Sequence, residues 1–483
     1  MKMLIDSQWV EASNGKRGNV LNPGTGETID SVPLATLEDA QRALAAAQSG
    51  KEAMRKMTAH RRAEILFRIA DAMVAHQEEL CRLLAQENGK PIAQTRAEVG
   101  VTANIFRGFG EETKRIFGRV IPVDAVRGNE RHFAFTIRQP LGVVAAIVPF
   151  NYPVELWGHK AAAALAAGNA VISKPPSACP LTLLHIAELM EEAGLPRAAH
   201  QMITGPGALI GDFLARSPGI QLVTVTGSTE VGIRIAQLAA ETLKKVHMEL
   251  GGNDAMIILA DSDLEKATDA VVLGRLARGN GQICCAVKRI FVEAPIYDQF
   301  ADLLTKKARA LKVGDQLLED TDVGPLINEE AAREVEAMVN EAVQAGARLR
   351  SGGKRQNAFM EPTVLTEVPV GVPLFKEECF GPVAPLVRFT SIDEAIRMAN
   401  DSPYGLQSGI FTSDINKAID IAYKLEAGGV IINWSSALRV ETLPFGGIKM
   451  SGHGREGIHD TLDEMTDQKT IVVHNAFPPV EAE

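Results

Sequence analysis

Leu222-Val223-Thr224-Val225-Thr226-Gly227-Ser228-Thr229 joins two kinds of pattern in eight residues. Residues 222–225 form an uncharged, β-prone run. It enters Thr226-Gly227-Ser228, and a helical pattern starts at Thr229 and continues over 230–241. A buried strand that turns tightly into a helix is the repeating element of a parallel α/β sheet. The same alternation extends outward on the N-terminal side. Residues 142–148 read as a strand closed by Pro149, 157–167 as a helix stopping at Gly168-Asn169, 170–173 as a strand, and 181–193 as a helix after a Pro-rich turn. On the C-terminal side, 254–259, 289–292 and 430–433 read as strands, and 264–276, 296–311, 329–345 and 415–425 as helices. Residues 466–476 predict a last strand, followed by a polar tail over 477–483. Upstream, Ile65, Ile69, Met73 and Leu80 predict one long amphipathic helix over 59–86. Residues 119–139 are polar and strand-like, with a turn at Arg127-Gly128-Asn129-Glu130. The fold class this predicts is α/β, with a parallel sheet covered on both faces.

Composition narrows the function. The chain has 483 residues, and 50 Lys and Arg against 60 Asp and Glu give a net charge of −10. A 46% hydrophobic, 23% charged chain of this length is globular, which excludes wholesale disorder. The acidic balance argues against a nucleic-acid partner. The apolar runs are far shorter than a membrane-spanning helix needs, so no membrane partner is expected. Asp6 falls too early for a signal-peptide core. Five cysteines without a CxxC pair read as free thiols in a reducing compartment, hence the cytoplasm.

Several segments could carry chemistry, and each also has a purely structural reading. Gly227 and Ser228 open a helix whose free N–H groups suit a phosphate, although Ser228 could simply cap it. Gly205-Pro206-Gly207 is a weaker case of the same kind. Gly452-His453-Gly454-Arg455-Glu456-Gly457 fits GxGxxG by letter, but a loop precedes it where a strand is required. Gly281-Gln282-Ile283-Cys284-Cys285 places thiols on a loop, where they are either nucleophiles or small buried side chains. Glu249, at a strand end before Gly251-Gly252, could be a half-buried general base or an acid beside a turn. Asn151 in Pro149-Phe150-Asn151-Tyr152-Pro153 could donate to a developing oxyanion or merely form a turn. Lys174 could meet a ribose or phosphate, or be a solvated charge. No HExxH or CxxC is present, so no metal is expected.

In order along the chain, these segments resemble the aldehyde dehydrogenase superfamily. The matching landmarks are Asn22-Pro23, Glu87-Asn88-Gly89-Lys90-Pro91, Pro149–Pro153, Lys174-Pro175, Thr226–Thr229, Glu249–Gly252, Gly281-Gln282 with Cys284, Glu378 with Phe380-Gly381-Pro382, and Pro444–Gly447 with Lys449 and Ser451-Gly452. The resemblance implies a Rossmann-like cofactor domain (1–119 and 140–250), an α/β catalytic domain (251–464) and a small β oligomerisation flap (120–139 and 465–483). It also implies a homodimer or homotetramer. Cys284 aligns with the nucleophile and Glu249 with the general base. Asn151 and the Cys284 N–H align with the oxyanion hole, and Lys160 with a supporting lysine. Cofactor contacts fall on Phe150, Lys174, Ser177, Gly207, Gly227, Ser228, Leu250, Glu378 and Phe380.

The implied reaction oxidises an aldehyde through a thiohemiacetal and a thioester on Cys284, and water activated by Glu249 releases the acid. NAD-preferring members carry a Glu where this chain has Ser177, so NADP is favoured slightly over NAD. The nearest branch looks like the lactaldehyde, succinate-semialdehyde and non-phosphorylating glyceraldehyde-3-phosphate enzymes. Ile283 and His159 stand where the phosphate-binding and semialdehyde types carry arginines. Tyr152, Glu155, His159 and Arg439 are the candidate substrate contacts, and their polarity suggests a small polar aldehyde. Other readings are a succinate-semialdehyde-type dehydrogenase, a cysteine-dependent ester or thioester hydrolase, and a non-catalytic relative; the last conflicts with the retained Cys284, Glu249 and Asn151.

Overall fold

The computed structural model describes residues 1–478. The expected alternation is present and builds two main sheets. The first has eight strands in the order Gln8–Val10, Met3–Ile5, His200–Met202, Ala170–Lys174, Val143–Ile147, Leu222–Thr226, Lys245–Glu249 and Gly452–His453. The five central strands are parallel. Their order reverses between Val143–Ile147 and Leu222–Thr226, so the loops leaving these two strands diverge and open a crevice. Those loops hold Asn151 and Thr226-Gly227-Ser228.

The second sheet has seven strands: Arg348–Ser351, Thr363–Thr366, Val383–Phe389, Val287–Glu293, Asp254–Ile258, Gln407–Phe411 and Gly429–Ile432. Apolar cores lie on both faces of each sheet. A smaller cluster of Tyr152, Leu156, Ile283, Cys285, Leu406, Ala437 and Phe445 lies apart from them. A third, three-stranded sheet joins Thr466–Val473, Phe133–Pro140 and Val120–Ile121.

The helix Pro153–Ala167 shows how sequence positions the site. Pro153 starts it at a position where no N–H is needed, and Gly168 ends it in the left-handed region, φ 92°. Every one of its residues is buried, and its alanines allow close packing against the sheet. Glu155, His159 and Lys160 are therefore polar groups in an apolar element, which needs a reason.

The sequence-based expectations differ from the structure in places. The expected helix 59–86 is two helices, Ala59–Ala75 and Gln77–Asn88, broken at His76, which leaves helical geometry at φ −102°, ψ 16°. The apolar stripe runs through both, so periodicity alone did not reveal the break. The expected helix 264–276 ends as α-helix at Val271 and widens to a π-helix over Val272–Ala277. The N-terminal strands and the helix Leu37–Lys56 were not anticipated. Of the expected tail, 479–483 lie outside the described residues. Among the described residues, no helix is long and apolar enough to cross a membrane.

Candidate active site

The nucleophile candidate sits on a strained loop. Gly279, Asn280 and Gly281 take left-handed backbone in succession, φ 58°, 55° and 74°. Asn280 tolerates this because its side chain is fully used. Its amide donates to Gly89 O at 3.0 Å and Pro325 O at 2.9 Å, and its oxygen accepts from Gly324 N at 2.8 Å. A Cβ on Gly281 would fall 2.4 Å from the Gly381 carbonyl, so the close approach also requires glycine. Gln282 accepts from Ile327 N at 3.1 Å. The loop delivers Cys284 just before the strand Val287–Glu293.

Cys284 stands where two cavities meet. A cleft of about 550 Å³ is lined by Phe150, Asn151, Gly227, Ser228, Leu250, Cys284, Glu378 and Phe380, with further residues of the helix Glu329–Gln344. A narrow cavity of about 20 Å³ lies on the other side, walled by Tyr152, Glu155, Arg278, Cys285, Arg439 and Phe445 among others. Asn151 and Cys284 are the two residues that line both. Neither the Asn151 side-chain amide nor the Cys284 N–H has an acceptor among the described residues. Cys285 is buried in the narrow cavity's wall, and its carbonyl accepts from Ser436 Oγ at 2.9 Å.

The Cys284 thiol lies beside the buried Cys285. The neighbouring Cys285 thiol and burial push it well above its ordinary range, and Lys288 only partly opposes this. Glu249, at the end of the strand Lys245–Glu249, is 2% exposed, and both its oxygens lack hydrogen-bond partners. Burial, and then the nearby Glu456, push its carboxyl well above the usual carboxylate range, which makes its anion a strong base.

Behind Glu249 lies a buried ionic cluster. Glu456 accepts from Lys160 Nζ and from Arg439 Nη2, both at 2.6 Å. Burial opposes its ionisation, yet these two cations hold its carboxyl well below the ordinary value. Arg439 also lies 3.7 Å from Glu155 and over the Phe445 ring. It is thus a paired cation in the cavity wall. His159 does not join the cavity lining. It is 1% exposed, both ring nitrogens are unpartnered, and burial pushes its pKa well below normal.

The cofactor candidates divide into two groups. On the cleft, Gly227 leaves the helix start open: a Cβ there would meet only Val231, at 3.9 Å. Ser228 caps that helix, accepting from Val231 N at 3.4 Å, so its structural reading holds alongside the functional one. Leu250 packs against Gly232, where a Cβ would come within 2.4 Å of it. Glu378 accepts from Lys288 Nζ at 2.8 Å and Gly252 N at 3.1 Å through one oxygen, leaving the other toward the cleft. Phe150 and Phe380 meet edge to face, with ring centroids 5.8 Å apart.

Lys174, Ser177 and Gly207 form the second group, beyond the cleft wall. Lys174 Nζ donates to Ser177 Oγ at 3.1 Å and has no ion pair among the described residues; burial lowers its pKa to about 8. Ser177 Oγ donates to Gly205 O at 3.1 Å and does not cap the following helix. A buried, unpaired ammonium beside an open helix start fits the negative end of a dinucleotide. Gly452–Gly457 does not form such a site. Gly452 is in an edge strand pressed on Met248, where a Cβ would fall 1.9 Å from the carbonyl oxygen.

Two residues of the site were missed from sequence. Arg278, six positions before Cys284, is partly buried in the narrow cavity. It donates to Ala437 O at 2.9 Å, lies over the Tyr152 ring, and has no carboxylate partner among the described residues. Its place on the nucleophile loop was the available signal. Glu456 lies inside the GxGxxG match Gly452–Gly457, where an acid among glycines carries no separate local signal.

The chain is similar in sequence and in fold to known proteins. The sequence model of the aldehyde dehydrogenase family matches residues 9–471. A Priestia aryabhattai protein named 3-sulfolactaldehyde dehydrogenase is 41% identical, over 98% of each chain. A mitochondrial succinate-semialdehyde dehydrogenase of Oryza sativa subsp. japonica is also 41% identical, over 98% of this chain and 89% of its own. A solved structure described as an E. coli NADP dependent enzyme superposes with TM-score 0.95 at 37% identity, covering 98% of both chains.

Proposed function

The chain belongs to the aldehyde dehydrogenase family and oxidises aldehydes with NAD or NADP, and from that premise we propose that its substrate is a small aldehyde bearing a polar, anionic group. One observation carries the anionic part: Arg278 faces a narrow cavity as a guanidinium without a carboxylate partner. A charge left unpaired in such a place gains much from an incoming carboxylate or sulfonate. Arg439, Glu155 and the free Tyr152 hydroxyl supply further polar contacts.

In this reading the Cys284 thiol loses its proton to water, and the thiolate attacks the aldehyde carbon to form a thiohemiacetal. The Asn151 amide and the Cys284 N–H hold its oxyanion. The nicotinamide cofactor, when bound, supplies the hydride acceptor. Gly227, Ser228, Leu250, Phe150, Phe380 and Glu378 would hold it along the cleft, with Lys174, Ser177 and Gly207 beyond. Glu249 then deprotonates the water that hydrolyses the thioester on Cys284, so the branch is hydrolytic and not acyl-transferring. Lys160, through Glu456, sets the charge around Glu249. We also read 1–119 and 140–250 as the cofactor domain, 251–464 as the catalytic domain, and 120–139 with 465–483 as the flap of a cytoplasmic homodimer or homotetramer. The exposed Val120, Val472 and Val473 of that three-stranded sheet support association there.

The test is single-turnover cofactor reduction with succinate semialdehyde, sulfolactaldehyde, lactaldehyde, propanal and hexanal. Arg278→Met is expected to lower kcat/KM for the two anionic aldehydes about 100-fold, the worth of a charge-assisted hydrogen bond. Propanal is expected to change less than about threefold. Equal losses for all, or hexanal as the best substrate of the unsubstituted enzyme, would overturn the proposal.

NADP preference rests on Ser177, which is exposed and carries no charge. Ser177→Glu is expected to lower kcat/KM with NADP about 100-fold by repelling the 2′-phosphate, while leaving NAD turnover within about threefold. Parallel steady-state assays with the two cofactors decide it; an unchanged ratio would remove Ser177 from the cofactor contacts.

A further inference from the structure

The segment Glu87-Asn88-Gly89-Lys90 takes no part in the chemistry above, yet it is buried throughout and reaches four pieces of the site. Glu87 accepts from Leu181 N at 2.7 Å and Thr182 N at 2.8 Å, holding the helix that follows the Lys174–Ser177 loop. Asn88 donates its amide to Phe150 O at 2.6 Å. Gly89 O accepts from Asn280, the strained residue of the nucleophile loop. Gly89 itself must be glycine: its φ is +91°, and a Cβ would lie 2.7 Å from Pro325 O. Lys90 donates to Asn151 O at 2.8 Å, pairs with Glu98, and sits 3.9 Å from the centre of the Tyr152 ring. The other oxygen of Glu98 accepts from Val154 N at 2.9 Å, in the first turn of the next helix.

The carbonyls of Phe150 and Asn151 are thus both pinned by one turn, and the same turn grips the loop that carries Cys284. A buried Lys–Glu pair contributes little net stability, because desolvating two charges offsets their attraction. Its effect here is geometric. The direction of the Asn151 amide follows from its backbone, and an oxyanion donor misplaced by an ångström loses most of its effect. We propose that Asn88 and Lys90, with Glu98, are positioning residues that set Asn151 against Cys284. This rests on the reading of Asn151 as the oxyanion donor.

The experiment is a double-mutant cycle read by the single-turnover acylation rate and by cofactor Kd. The pair Lys90→Met with Glu98→Gln removes both charges together and strands neither. In the unsubstituted enzyme it is expected to slow acylation about 30-fold, with cofactor Kd within about twofold. In an Asn151→Ala background the same pair is expected to slow it by less than about twofold. The same factor in both backgrounds would show general damage and overturn the proposal, as would no slowing in the first. Should the paired variant not fold, Asn88→Ala drops the bond to Phe150 O together with a long contact, 3.8 Å, to Cys179 Sγ. It is expected to slow acylation about fivefold in the first background and not in the second, and equal effects would again overturn the proposal. Normal acylation by Asn151→Ala alone would overturn the oxyanion reading, and the proposal with it.

Discussion

Cys284→Ala is expected to abolish aldehyde-dependent cofactor reduction, lowering kcat by at least about 10⁴-fold. Cys284 is one of two residues at the junction of the two cavities, and the other, Asn151, has no nucleophilic atom. Cys285 is adjacent but buried, with its carbonyl tied to Ser436, so it cannot take over without moving the loop. The cleft walls are otherwise unchanged, so cofactor Kd should stay within about threefold, measured by calorimetry. That pairing separates lost chemistry from a lost fold. Residual reduction near the normal rate would move the nucleophile elsewhere. Cofactor-independent turnover of nitrophenyl acetate that survived Cys284→Ala would separate such esterase activity from Cys284.

Glu249→Gln is expected to leave one fast acylation event and then nearly stop, with steady-state kcat reduced about 10³-fold. The amide keeps the shape of the side chain but cannot take a proton from water. The pH dependence follows from the same burial. A base acts only when deprotonated, and burial raises the Glu249 pKa well above the ordinary carboxylate value. Activity should therefore rise with pH on a limb displaced upward from the carboxylate range. The Cys284 thiol is shifted in the same direction and acts only as thiolate, so both groups favour higher pH. In Glu249→Gln the deacylation limb should vanish. Stopped-flow bursts across pH check both points. A limb that persists unchanged would assign it to another group.

The α/β alternation was legible in outline because short apolar runs alternate with helical periods. The crevice between Val143–Ile147 and Leu222–Thr226 was not, since strand order is a long-range property that no local window contains. Glu249, Asn151 and Cys284 stood out as chemically suitable residues beside turns. Their juxtaposition depends on the Gly279–Gly281 backbone and on Asn280 side-chain bonds to residues 45 and 191 positions away. His159 misled for a related reason. It follows Glu155 by one helical turn, and only the packing shows that Glu155 reaches the cavity while His159 stops behind it. Arg278 and Glu456 went unremarked because an unpaired guanidinium, and a carboxylate held by two cations, are relations between distant residues.

The most direct measurement is intact-mass and peptide mapping of Glu249→Gln after mixing with succinate semialdehyde and NADP. One adduct per chain is expected, heavier by the aldehyde less two hydrogens, on the peptide containing Cys284, formed only when cofactor is present. An adduct on another residue, or rapid cofactor reduction with no covalent adduct at any time, would contradict it.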